Sequence, residues 1–166
     1  MCFDFSAASD LNLTGFCDAN FAGDLDTRRS TTGYIFLLGA AAVSWSSRLQ
    51  ATVAQSSTEA EYMALTEATN EAIYLRQLLS DIGAPQTAAT TIYEDNEGAI
   101  KLANNPMHQR RTKHIDVKFH HIRYHVNHGT ICLAYVNTTK QLADALTKGV
   151  SGSTLRELTT AVFTEA

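Results

Sequence analysis

Cysteine is scarce in this chain. Cys2, Cys17 and Cys132 are odd in number and widely separated, which excludes a disulfide framework and offers no metal-type pairing. A reducing compartment is the simpler setting. Long apolar runs are absent: nothing approaches the roughly 18 residues a membrane helix needs, and no secretory signal peptide is visible. Positive charge is also short. Thirteen Lys and Arg stand against 17 Asp and Glu, for a net charge of −4. That balance argues against a protein that coats nucleic acid through bulk charge, yet allows an acidic site that holds cations. There is no internal repeat and no low-complexity tract. No Ser or Cys has a convincing His and Asp pairing, so a protein nucleophile is not indicated.

What is present is an ordinary globular composition, 45% hydrophobic and 18% charged over 166 residues. That length fits one domain burying roughly 70% of its unfolded surface. The most informative stretch runs from Gln55 to Leu65 and opens a helix. Ser56, Ser57 and Thr58 can all cap it, and Ser56 with Glu59 has capping-box spacing. Glu61, Ala64, Leu65, Ala68, Ala72, Leu75 and Leu79 then fall on one helical stripe. A carboxylate therefore stands at the end of the face that packs on the domain, where it needs a counter-charge or a metal. Glu59 lies well round from that stripe and has capping as its ordinary job. Gly83 and Pro85 stop the helix.

The remaining chain reads as α/β. Residues 1–10 have no period and look like a lead-in or linker. Strands are expected over Leu11–Asp18, Thr31–Leu38, Ala42–Ser47, Thr90–Glu94 and Ile131–Val136. Helices are expected through Ala99–Ala103, over Ile115–Val126, over Lys140–Lys148 and over Ser153–Phe163. A hairpin followed by β-α-β units makes a mixed sheet covered by helices. The domain spans 11–150, with a helical extension over 151–166.

Four carboxylates recur where ligand sites form. Asp18 and Asp95 end strands, Glu61 starts the long helix, and Asp144 sits in the first turns of a late helix. Each alone is more often a turn, cap or helix-dipole residue. Brought together, they repel strongly unless divalent cations lie between them, and hard oxygen ligands favour Mg2+ or Mn2+.

Six motifs carry a family resemblance. They are Phe16-Cys17-Asp18-Ala19-Asn20-Phe21-Ala22-Gly23, Arg29-Ser30-Thr31-Thr32-Gly33-Tyr34, Ser57-Thr58-Glu59-Ala60-Glu61-Tyr62, Glu94-Asp95-Asn96, Arg111-Thr112-Lys113-His114-Ile115-Asp116 and Gln141-Leu142-Ala143-Asp144. In this order they closely resemble the ribonuclease H domain of copia-type long-terminal-repeat retrotransposons, over about Leu11 to Lys148. The resemblance implies a ribonuclease H-like fold with a five-stranded mixed sheet. It also implies two-metal cleavage of the RNA strand of an RNA–DNA hybrid, with two Mg2+ ions, or Mn2+ in their place. It carries the family's acidic ligands onto Asp18, Glu61, Asp95 and Asp144, with Asp18 bridging both ions, Glu61 and Asp95 on one, and Asp144 on the other. An adjoining reverse transcriptase domain, no membrane, and a cytoplasmic virus-like particle complete the implied setting.

Contacts to the hybrid are expected from Asn20 and Asn96 at the 2′-hydroxyls, with Glu97 beside them. The basic loop Arg110, Arg111 and Lys113 is expected at phosphates. The chain departs from the pattern of cellular ribonucleases H: no His lies between Gly129 and Asp144, and there is no clear tryptophan-bearing basic handle. All six His fall in His108–His128. His121 and His125 are spaced as a zinc pair, but no third ligand is obvious. A catalytically idle hybrid-binding module is the alternative, opposed by the four intact acids. A different nuclease or transposase on the same fold is disfavoured by motif identity.

Overall fold

The computed structural model describes residues 11–39, 41–104, 113–153, 155, 156 and 159, with 113–119 described as backbone alone. The elements are β1 (Leu13–Asn20), β2 (Thr31–Leu38), β3 (Ala41–Leu49), α1 (Ser57–Asp81), β4 (Thr90–Glu94), α2 (Glu97–Asn104), α3 (Lys113–Asn127) and β5 (Ile131–Tyr135). Two short 3-10 turns follow, Thr138–Lys140 and Leu142–Leu146. The strands form one five-stranded sheet in the order β3-β2-β1-β4-β5. The first three strands pair antiparallel, while β4 pairs parallel with β1 and β5. This is the mixed sheet that the hairpin and β-α-β order called for.

Strand alternation sorts the side chains. Leu13, Cys17, Phe36 and Ile92 point to the face covered by α1 and α3, in one buried cluster with Leu65, Leu75, Leu79 and Ile122. The opposite face carries Ile35, Leu37 and Phe16 against Leu142 and Leu146. Every member of the predicted stripe of α1 is buried, Glu61 included. Ser56 accepts a hydrogen bond from the Glu59 amide at 3.2 Å. Glu59 reaches back one residue further than a capping box requires, accepting from Gln55 N at 2.8 Å. At the other end Gly83 adopts φ +83°. Its amide reaches the Ser80 carbonyl and the Ala84 amide reaches Leu79, which closes the helix as a Schellman motif.

One expected helix is replaced by other structure. The segment around Asp144 is not an α-helix over Lys140–Lys148; Asn137 and Gln141 each cap a separate 3-10 turn through their side chains. Short side-chain caps satisfy the amides locally, and neither turn is long enough to nucleate a regular helix. The basic loop with Arg110 and Arg111, the side chain of Lys113, and the 1–10 lead-in lie outside the described residues. Of the expected Ser153–Phe163 helix, the described residues 153, 155, 156 and 159 are helical, as is residue 152 before it.

The turn bearing Asp144 sits directly on β2 at Gly33. A Cβ there would stand 2.8 Å from Thr147 Cγ2, 2.9 Å from the Ala143 carbonyl oxygen and 3.0 Å from Leu146 Cβ. Two of these neighbours belong to a close-packed turn that has nowhere to go. Gly33→Ala should therefore destabilise the fold by about 1–3 kcal/mol, the usual cost of overpacking, measured as a lowered urea midpoint. An unchanged midpoint would mean the turn is free to move.

Candidate metal centre

Asp18 lies near the end of β1, opposite Gly33 of β2. Asp95 follows the last residue of β4, and β1 and β4 are neighbours. Glu61 comes from the first turns of α1. Gln50 holds that helix start in place: its Nε2 donates to the Ala60 carbonyl at 2.9 Å and to Thr32 Oγ1 at 3.0 Å. The result is a group in which one carboxylate oxygen each from Asp18, Glu61 and Asp95 lies within 4.8 Å of the others.

The surroundings disfavour charge on Glu61 and Asp18. Burial, then the charges of Glu94, Asp18 and Asp95, pushes the Glu61 carboxyl far above the usual carboxylate range. Burial likewise raises Asp18, partly offset by a hydrogen bond from Thr147 Oγ1 at 2.7 Å. Glu61 Oε2 is buried with no hydrogen-bond partner. A buried, unsatisfied carboxylate oxygen beside two further carboxylates is costly. A divalent cation is the group that would satisfy it, and the all-oxygen donor set fits a hard ion.

Asp144 stands apart from this trio. Its Oδ1 is 2.6 Å from Lys148 Nζ, four residues on. It is close enough for its charge to raise Asp18, but its oxygens are not part of the three-acid group. Lys148 is the local cation, its ammonium form favoured first by the hydrogen bond to Asp144. Asp95 Oδ2 accepts from Thr138 Oγ1 at 2.6 Å, so the loop without a histidine supplies a hydroxyl instead.

Asn96 works as a helix cap, its Oδ1 accepting from the Ala99 amide at 3.1 Å in the first turn of α2. Asn20 is half-buried at the end of β1. His121 and His125 stack edge-to-face at 4.8 Å, and among the described residues they belong to no metal-capable group.

Sequence reasoning passes over Glu94. It is fully buried, with Oε1 accepting from Asn96 N at 3.1 Å and Oε2 from Cys17 Sγ at 3.3 Å. Burial also pushes the Cys17 thiol up, which keeps it a proton donor. A signal for Glu94 does exist: in Thr-Thr-Ile-Tyr-Glu, strand alternation puts it on the core face with Ile92. Thr138 and Thr147 carry no such signal, because their acids lie 43 and 129 positions away in the chain; Lys148 stands four residues from Asp144, a spacing the sequence does display.

The sequence relatives are transposon proteins. The chain is 44% identical over 150 residues to the retrovirus-related Pol polyprotein from transposon TNT 1-94 of Nicotiana tabacum, covering 90% of this chain and 11% of that one. It is 43% identical over 141 residues to the Pol polyprotein from transposon RE1 of Arabidopsis thaliana, covering 85% and 10%. The chain thus spans about a tenth of the length of these relatives. No protein-family model matches it. Among solved structures, LC11-RNase H1 from compost superposes with a TM-score of 0.62 at 16% identity, covering 87% of this chain and 99% of that one. The same enzyme in complex with an RNA/DNA hybrid gives 0.60 at 14%, with the same coverage. Prototype foamy virus protease–reverse transcriptase gives 0.59 at 14%, covering 82% of this chain and 20% of that one. This chain has the ribonuclease H fold, and its sequence relatives are retrovirus-related Pol polyproteins of plant transposons. The fold is that of the structural neighbours.

In the ribonuclease H-fold domain, Glu94 links stability to pH. Burial, the first cause, holds its carboxyl up to about 8, whereas an unfolded Glu titrates near ~4.3. The folded state keeps a proton that the unfolded chain has lost. Its contribution is full below about 4.3 and is lost as pH rises through about 8. In chelator, the melting temperature should fall as pH is raised from about 6 to about 9, and Glu94→Gln should flatten the fall. Parallel curves for wild type and variant would show that Glu94 does not titrate there.

Proposed function

We propose that this domain is a divalent-metal-dependent endoribonuclease that cuts the RNA strand of RNA–DNA hybrids during reverse transcription of a retroelement. The observation that carries the reading is the trio Asp18, Glu61 and Asp95, with one oxygen each inside 4.8 Å at the parting of two strands. Asp144 stands beside it with its Lys148 partner. Pol polyproteins among the relatives and a hybrid complex among the structural neighbours support the same reading.

In this proposal Asp18, Glu61 and Asp95 hold one Mg2+ ion, and Asp18 with Asp144 a second; Mn2+ serves as well. Bound there, such ions would lower the pKa of an attacking water and stabilise the leaving 3′ oxygen of the scissile phosphate. The protein's own groups arrange this. Thr147 orients Asp18, Thr138 orients Asp95, and the buried wall behind Glu61 keeps bulk water from screening the site. In the same proposal Asn20 and Asn96 contact the 2′-hydroxyls of the RNA strand, and Arg110, Arg111 and Lys113 contact phosphates. The domain extends over 11–150 and works beside a reverse transcriptase domain of the parent polyprotein, within a cytoplasmic particle. No helix of the described residues is long and apolar enough to cross a membrane.

A labelled hybrid, beside duplex RNA and duplex DNA, tests the reading. With Mg2+ the RNA strand of the hybrid should be cut to 5′-phosphate and 3′-hydroxyl ends, and chelator should abolish this. Equal cleavage in excess chelator, or none with any divalent ion, would remove the proposal.

The two glutamates of α1 separate a site role from a capping role. Glu61→Gln should lower the rate by orders of magnitude with the fold intact. Glu59→Gln should keep most activity, since a cap contact is worth only about 0.5–2 kcal/mol. Rates of both variants, with circular dichroism as the folding control, decide it; the reverse ranking would misassign the acid.

A further inference from the structure

The sheet parts at the place where Asp18 and Asp95 stand. The β1–β4 ladder pairs Thr14 with Thr91, Gly15 with Ile92 and Phe16 with Tyr93, and stops there. Beyond it β1 stays with β2 through Asn20–Thr31, while β4 stays with β5 through Glu94–Tyr135. The Val136 amide donates to the Glu94 carbonyl at 3.1 Å and extends that second pairing. The two acid-bearing strand ends thus belong to different halves of the sheet, and no ladder hydrogen bond fixes the gap between them. A crevice of this kind forms where strand order reverses.

Gln141 fills that gap. Its side chain is 4% exposed and comes from the far side of the chain. Nε2 donates to the Cys17 carbonyl at 2.8 Å and lies 3.5 Å from the Tyr93 carbonyl. Oε1 accepts from the Ala143 amide at 3.2 Å, capping the turn that carries Asp144. One amide group therefore touches the residue before Asp18, the residue two before Asp95 and the turn of Asp144. On the α1 face of the same opening, the buried Cys17–Glu94 hydrogen bond joins the two strands.

We propose that Gln141 is a positioning residue, a wedge that sets the spacing of Asp18 and Asp95 and places the Asp144 turn against them. It replaces the missing rungs of the β1–β4 ladder with a side chain. The opening can then be wide enough for an ion and still be rigid. This inference rests on the metal-dependent reading above in one respect only, that the spacing it sets is used to bind a divalent cation.

The test uses Gln141→Met, which keeps the length and bulk without the amide, and Gln141→Ala beside it. Leu79→Ala, at the far end of α1, serves as a variant that loses stability without touching the opening. Amide exchange in chelator should rise at least about tenfold over 17–20 and 94–96 in the Gln141 variants, with the middle of α1 unchanged. Leu79→Ala should not produce that local pattern. Calorimetric titration with Mn2+ should give about tenfold weaker binding in Gln141→Met, the scale of a lost buried hydrogen bond. The Mg2+ requirement for cleavage should rise in step while KM for hybrid stays within about twofold. Unchanged local exchange in Gln141→Met would overturn the wedge. Raised exchange with unchanged Mn2+ affinity would overturn its role in spacing the acids. Wild type that binds no divalent cation would instead sink the proposed function, a result visible without any Gln141 variant.

Discussion

Carboxylates held close together where water is thin repel one another, and the centre of this domain is arranged around that repulsion. At an effective dielectric near 20, two unit charges about 4 Å apart interact by roughly 4 kcal/mol. Oxygens of Asp18, Glu61 and Asp95 lie within 4.8 Å of one another, and Glu94 lies behind them in the core. Each neighbouring structure answers the same problem. Thr147 and Thr138 donate hydroxyls, Lys148 offers an ammonium, and Cys17 donates its thiol hydrogen to Glu94. Glu61 Oε2 is left without a partner.

The fold makes such a concentration possible by delivering each acid from a different, well-anchored element. A strand end, a helix start, a strand-to-helix turn and a 3-10 turn meet at one end of the sheet. Three of these are held by contacts beside the acids themselves: Gln50 for the start of α1, Asn96 for α2, Gly33 for the 3-10 turn. Side chains built on rigid elements hold their geometry under strain better than side chains on loops. That is why the packing cost of a single methyl group at Gly33 bears on the site.

Much of the fold is legible because its signals are local. The α1 stripe, the Gly83 stop and the alternation in Thr90–Glu94 depend on residues within a few positions of one another. Local periodicity reports burial without knowing the partner surface. Glu61 can be read in the same way, as the one charge on an apolar stripe. The segment at Asp144 misleads because Leu142 and Leu146 are spaced four apart, as on a helix. Gln141 and Asn137 commit their side chains to separate caps and break the segment into two 3-10 turns. Glu94 is readable from alternation, yet a buried glutamate runs against the ordinary expectation that Glu stays in water.

The sequence by itself determined the element order, the mixed sheet, the phase of α1 and the family resemblance carried by its six motifs. These follow from spacing along one chain, where 3.6- and 2-residue periods mark which side chains share a face. Only the tertiary structure decided which acids meet. It brought Asp18, Glu61 and Asp95 together and set Gln141 in the split between β1 and β4. The Gln141 contact with Cys17 joins residues 124 positions apart. Distances of that kind are set by how strands of the two halves of the sheet diverge, and no local pattern encodes them.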